Sequence, residues 1–156
     1  MSVANEIFES GFDLYKFLTD KSRSKNILAK MLYREIRDNL ERLELRNKSG
    51  VNRQRLIEML SNESYVNAVK NNFRFSRMAK GQTIDKHLTN KIPALEKYRG
   101  WNAEQLLNSI DGKIVALKDL LKLFDDIDNA GVNLTARLNN LNVQLLAVSI
   151  LIKYAN

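Results

Sequence analysis

The sequence predicts an all-α protein, one compact antiparallel bundle of about four main helices plus a short N-terminal helix, with residues 1–156 forming a single domain. Three observations carry that expectation. A single proline and six glycines leave long stretches without breakers. Apolar residues recur at spacings of three and four through most of the chain. Asparagine, serine and threonine stand where helices would need capping. At 44% hydrophobic residues, the composition is rich enough to bury a real core.

Taken in order, residues 5–18 set Ile7, Phe8, Leu14, Tyr15, Phe17 and Leu18 largely on one side of a short helix, with Gly11 a weak point inside it. Beyond the cap candidates between Thr19 and Ser22, a long helix is expected over residues 22–47, stopped by Gly50. Residues 51–60 and 62–79 read as two helical pieces, or as one helix bent near Ser61 and Asn62. Residues 80–101 contain Gly81, Pro93 and Gly100 and form the longest connection, crossing one end of the bundle with a short helix near Ile84 to Asn90.

The clearest start follows. Asn102 can cap while Gln105, three positions on, reciprocates, and Trp101 can staple onto Leu106. Leu106, Ile110, Leu117, Leu121 and Phe124 then share a face until Asn129 to Gly131 ends the helix. Asn133 can cap the last helix, where Leu134, Leu138, Leu141, Leu145, Val148 and Ile152 make a coiled-coil-like seam. Val143, Leu146, Ala147, Ile150 and Tyr154 lie opposite. A helix apolar on two sides is either central in its bundle or offers a face to a partner, so Val143, Leu146, Ile150 and Tyr154 are the candidate face of a homo-oligomer.

Charge is unevenly spread. Of the net +7, residues 21–100 carry 19 basic against eight acidic side chains, whereas the segments on either side are slightly acidic. The middle of the chain therefore favours an anionic partner: nucleic acid, an acidic protein or an anionic membrane surface. Two stripes concentrate the effect. Arg23, Lys30, Arg34, Arg37 and Lys48 share one side of the long helix, interrupted by Glu41 and Glu44. Lys70, Arg74, Arg77 and Lys80 would share a face of the next segment, with no acidic residue between Glu63 and Asp85. Phe73 and Phe75 stand among them, placed either to stack on bases or, more commonly, to fill the core.

A third stripe is polar. Glu35, Asn39, Arg42 and Arg46 fall within about 60° of one another on a helix and could form a half-buried network beside the core arc of Leu32, Ile36, Leu40 and Leu43. Such a stripe can bind a charged ligand, but commonly it only fixes helix register. It is the sole foothold for an enzymatic reading, and no catalytic residue is assigned on it.

Other chemistry has little to stand on. With no cysteine, thiolate nucleophiles, disulfides and thiolate metal sites are excluded. His87 is the only histidine, too few for a multi-histidine metal site. Asp125, Asp126 and Asp128 cluster at a helix end without EF-hand spacing. Phosphate-loop, nucleophile-elbow and HExxH patterns are missing. No metal or cofactor is expected, and the chain resembles no family. The longest apolar run, Leu145 to Ile152, is far too short for a transmembrane segment, and a start without a signal-like pattern gives a cytoplasmic expectation. The leading expectation is thus a non-enzymatic module binding a nucleic-acid backbone or other anionic partner. A protein-interaction or oligomerising scaffold is the alternative.

Overall fold

In the computed structural model, residues 13–155 are described; the short helix expected at residues 5–18 falls partly outside them, and its Ile7, Phe8 and Gly11 wholly so. Among the described residues seven α-helices pack as an all-α bundle: α1 (Leu14–Lys21), α2 (Ile27–Glu44), α3 (Arg53–Met59), α4 (Glu63–Lys70), α5 (Lys86–Lys91), α6 (Ala103–Leu123) and α7 (Leu134–Ala155). Among the described residues no strand forms; a lone antiparallel bridge joins Thr83 to Asn102. No described helix is long and apolar enough to cross a membrane.

Caps decide where the helices begin. Asp13 starts α1 by accepting from the Lys16 amide, and Leu14 and Leu18 bury its inner side. The long helix begins later than residue 22, because Asn26 is the side chain that accepts from a first-turn amide, that of Ala29 at 3.1 Å. Ser22 instead finishes α1, its hydroxyl donating to the Thr19 carbonyl at 2.6 Å. Asn102 and Gln105 form the reciprocal capping box at the head of α6, and Asn133 caps α7 through the Ala136 amide. At its far end α6 stops at Leu123 rather than near residue 129. Phe124 has extended backbone angles there and is exposed, so it leaves the core face expected for it.

The second helical piece is also shorter than its sequence pattern. It ends at Lys70, where the Phe73 amide donates to the Ala68 carbonyl and the Asn72 amide to that of Val69. Asn72 sits at φ +54°. This is a Schellman termination with asparagine in the left-handed position. A tight 3-10 turn, Phe75–Met78, follows.

Helix α7 is the axis of the bundle. It packs on α6, α2, α1 and the 3-10 segment Pro93–Tyr98, and every residue from 144 to 152 is buried. A helix apolar all round is stable only when surrounded. Residues 82–101 supply part of the cover. Ile84, Leu88, Ile92, Leu95 and Tyr98 are all buried, and the segment is closed on itself by the Ile84 amide donating to the Trp101 carbonyl and the Gly100 amide to that of Ile84. Gly100 makes that closure at φ +87°, a conformation costly for any side chain.

The pairings orient the bundle. Tyr15, at the start of α1, lies by Glu44 and Glu41 at the end of α2; burial first, then those carboxylates, hold its phenol proton far above the ordinary range. Arg46 and Arg53 reach Asn139 and Thr135 at the start of α7. At the opposite end Lys153 of α7 lies 4.9 Å from the ring centre of Phe17. Helices α1 and α7 therefore both run antiparallel to α2.

Candidate functional site

Three of the four residues of the polar stripe on α2, Glu35, Asn39 and Arg46, are engaged by the fold. Glu35 accepts from the Ser61 hydroxyl at 2.8 Å and from the amides of Ser64 and Tyr65 at 2.8 and 3.0 Å. Those are first-turn amides of α4, whose own cap position, Asn62, makes no side-chain bond to them. Glu35 thus caps a helix remote in sequence. Burial raises its pKa, and the three donors offset that only in part. Asn39, buried, clasps the Ser61 peptide from both sides, donating to its carbonyl at 2.8 Å and accepting from its amide at 3.0 Å. This clasp fixes the break between α3 and α4.

The four members do not form one network. Arg46 turns to Asn139 at 2.7 Å and to the Leu43 carbonyl at 2.8 Å, and burial lowers its pKa. The Arg42 guanidinium makes no hydrogen bond or ion pair among the described residues. The cavity beside Glu35 and Asn39, about 20 Å³, has room for about one water and none for a substrate.

The basic stripe of the same helix has a different character. Lys30, Arg34 and Arg37 line one wall of an open groove of about 640 Å³, and Thr19, Ser22 and Arg23, at the end of α1, line the other. Among the described residues Asp38 is its one acidic side chain, and Arg37 occupies it: Nε and Nη2 donate to the same Oδ1 at 3.2 and 3.1 Å. A third donor, Nη1, reaches Thr19 Oγ1 at 3.4 Å. Arg37 is therefore held in place, while Arg23, Lys30 and Arg34 make no ion pair among the described residues. The first turn of α2 holds no acidic residue, so its positive end adds to their potential. The arrangement can attract an anion and offer it several donors.

Lys70, Arg74, Arg77 and Lys80 do not share a helical face. Lys70 ends α4, Arg74 precedes the 3-10 turn, Arg77 lies in it and Lys80, at φ +51°, follows it. All four are exposed. Phe73 and Phe75 pack edge to face at 5.2 Å, and Phe75, which is buried, also meets Tyr65 at 5.4 Å. Phe75 fills the interior, and Phe73, half-buried, packs against it.

The proposed oligomer face is largely covered within the chain. Leu146 and Ile150 are buried, and only Val143 and Tyr154 keep partial exposure. Tyr154 meets His87 edge to face at 5.6 Å, with Lys91 Nζ 5.6 Å from its ring centre, so α5 and its surroundings occupy this side of α7. Among the described residues no three histidine, aspartate or glutamate side chains gather as a metal site.

Thr19 and Ser22, the hydroxyls of the groove, were legible only as cap candidates; their place opposite Lys30 and Arg34 depends on α1 folding back along α2. Compared with known proteins, the chain matches no family model, no curated protein and no solved structure.

Proposed function

We propose that this chain is a non-enzymatic helical module that holds a phosphate-bearing partner, a nucleic-acid backbone, in the groove between α1 and α2. The observation that carries the reading is the convergence of Arg23, Lys30, Arg34 and Arg37 around one hollow whose only carboxylate among the described residues, that of Asp38, is already engaged. Lys30 and Arg34, one turn apart, repel each other on a helix, which costs a few tenths of a kcal/mol. No ion pair among the described residues offsets that cost, whereas a phosphate would. Recognition would be of the backbone, with counterion release supplying affinity and little base selectivity. The exposed Lys70, Arg74, Arg77 and Lys80 would extend the positive surface as a secondary contact.

The test is fluorescence anisotropy with labelled single- and double-stranded DNA and RNA at about 50 and 200 mM salt. Steep salt-dependent binding, reduced by the pair Lys30→Gln and Arg34→Gln more than by Arg74→Gln and Arg77→Gln, is the expected result. Absence of binding at the lower salt, or equal loss from both pairs, would overturn the assignment to this groove.

A further inference from the structure

A separate pair of surfaces points to a second copy of this chain. Ile27 and Leu123 are the most exposed large apolar side chains among the described residues, at 72% and 75%. Each has a companion: Met31, one turn along α2 from Ile27, is 42% exposed, and Phe124, next to Leu123, is 38% exposed. Isolated exposed apolar residues are ordinary. These two pairs, however, are flanked by opposite charge. Arg23, Lys25, Lys30 and Arg34 surround the first, and Asp125, Asp126 and Asp128 follow the second.

Both charge clusters are mismatched to the α-helix end they stand beside, although Asp126 also caps the 3-10 turn Ile127–Asn129, accepting from the Asp128 amide at 3.0 Å. Cations gather at the start of α2, where the helix dipole favours anions, and aspartates gather past the end of α6, where it favours cations. Lys122 and Arg53 relieve the aspartates in part, although Arg53 donates to Thr135 Oγ1 at 3.0 Å. The two patches also lie towards opposite ends of the bundle. Asp126 and Asp128 line a cleft with residues 51–54, next to the start of α7 and beyond the end of α2, while Ile27 begins α2. With 18 residues, α2 alone separates the ends by about 27 Å.

We infer that copies of this chain associate head to tail, with Leu123, Phe124 and the aspartates of one copy docking on Ile27, Met31, Lys30 and Arg34 of the next. The two surfaces differ, so the contact is heterologous and either closes into a ring or propagates. Each junction would cover apolar surface and relieve both unfavourable helix ends. The inference is independent of the nucleic-acid reading. The two share Lys30 and Arg34 but not Asp125 and Asp128, so a phosphate backbone would compete with assembly.

Sedimentation velocity over a concentration series, at about 50 and 500 mM salt, tests it, since screening at the higher value removes most of the attraction between exposed charges. The expected result is a mass that grows with concentration at low salt and falls towards the monomer at high salt. Two variants, K30Q/R34Q and D125N/D128N, each confirmed as folded by circular dichroism, should each stay monomeric alone. Mixed, they should form a dimer and nothing larger, because each retains one intact end. A monomer throughout for the wild type, association that survives both variants, or a mixture that forms no dimer would overturn it. The anisotropy assay separates the two readings: D125N/D128N should lose assembly and keep nucleic-acid binding, while K30Q/R34Q should lose both.

Discussion

Helix α2 carries polar side chains on both flanks of its core face, and the two flanks have opposite fates. On one, Glu35 and Asn39 spend their hydrogen-bonding capacity on the corner between α3 and α4. On the other, Lys30 and Arg34 keep theirs, facing an open groove. Both flanks look alike as periodic charge and amide in a sequence. What separates them is whether each donor and acceptor has already met its partner within the chain, and that is the criterion for telling a structural polar residue from an available one.

The comparison breaks first at Asn39. Asn39→Ala would leave the Ser61 amide and carbonyl without their partner, and should lower stability by about 2–4 kcal/mol in urea melts. A loss below about 0.5 kcal/mol would mean that water replaces the clasp without cost. Glu35→Gln should follow at about 1–2 kcal/mol near neutral pH, because a carboxylate that accepts from three donors is reduced to an amide with one acceptor oxygen.

Glu35 also sharpens the comparison through pH. Its folded pKa is raised, so the folded chain binds this proton more tightly than the unfolded chain does. The wild type should therefore gain stability relative to Glu35→Gln at acid pH, and lose that gain as pH rises through the raised value. Melts of both proteins between about pH 4 and pH 8 check the slope. The opposite slope would mean that the three hydrogen bonds outweigh burial.

The smallest stability effect belongs to the other flank. Lys30→Gln with Arg34→Gln should change stability by no more than about 0.5 kcal/mol, in either direction, because removing like charges one turn apart also removes repulsion. A large loss would show that these side chains have a structural task after all, and would erase the contrast with Glu35 and Asn39.

Much of the architecture was legible because its signals are local. The Asn102 and Gln105 capping box, the Asn133 cap and the apolar spacing of α7 each involve residues within a few turns of one another. The interruption near Ser61 was visible, but its cause was not, since Asn39 lies 22 positions away. The end of α4 was readable in principle from Asn71 and Asn72. The regular spacing of Lys70, Arg74 and Arg77 argued for a continuing helix, and a basic stripe can persist by chance where no core face enforces it. For α7, the buried alternative is the one realised at Leu146 and Ile150. Periodicity could not choose, because part of the cover comes from residues 82–101, a segment whose glycines and proline suggested a plain connection.

The central place of α7 bears on how the chain is made. It follows in sequence the helices that pack on it, so α1, α2 and α6 leave the ribosome with the apolar sides they turn towards α7 still uncovered. The interior cannot close until Leu145 to Ile152 has emerged. Nascent chains would spend that interval as partly collapsed species with exposed apolar surface, the state in which chains aggregate or need chaperones.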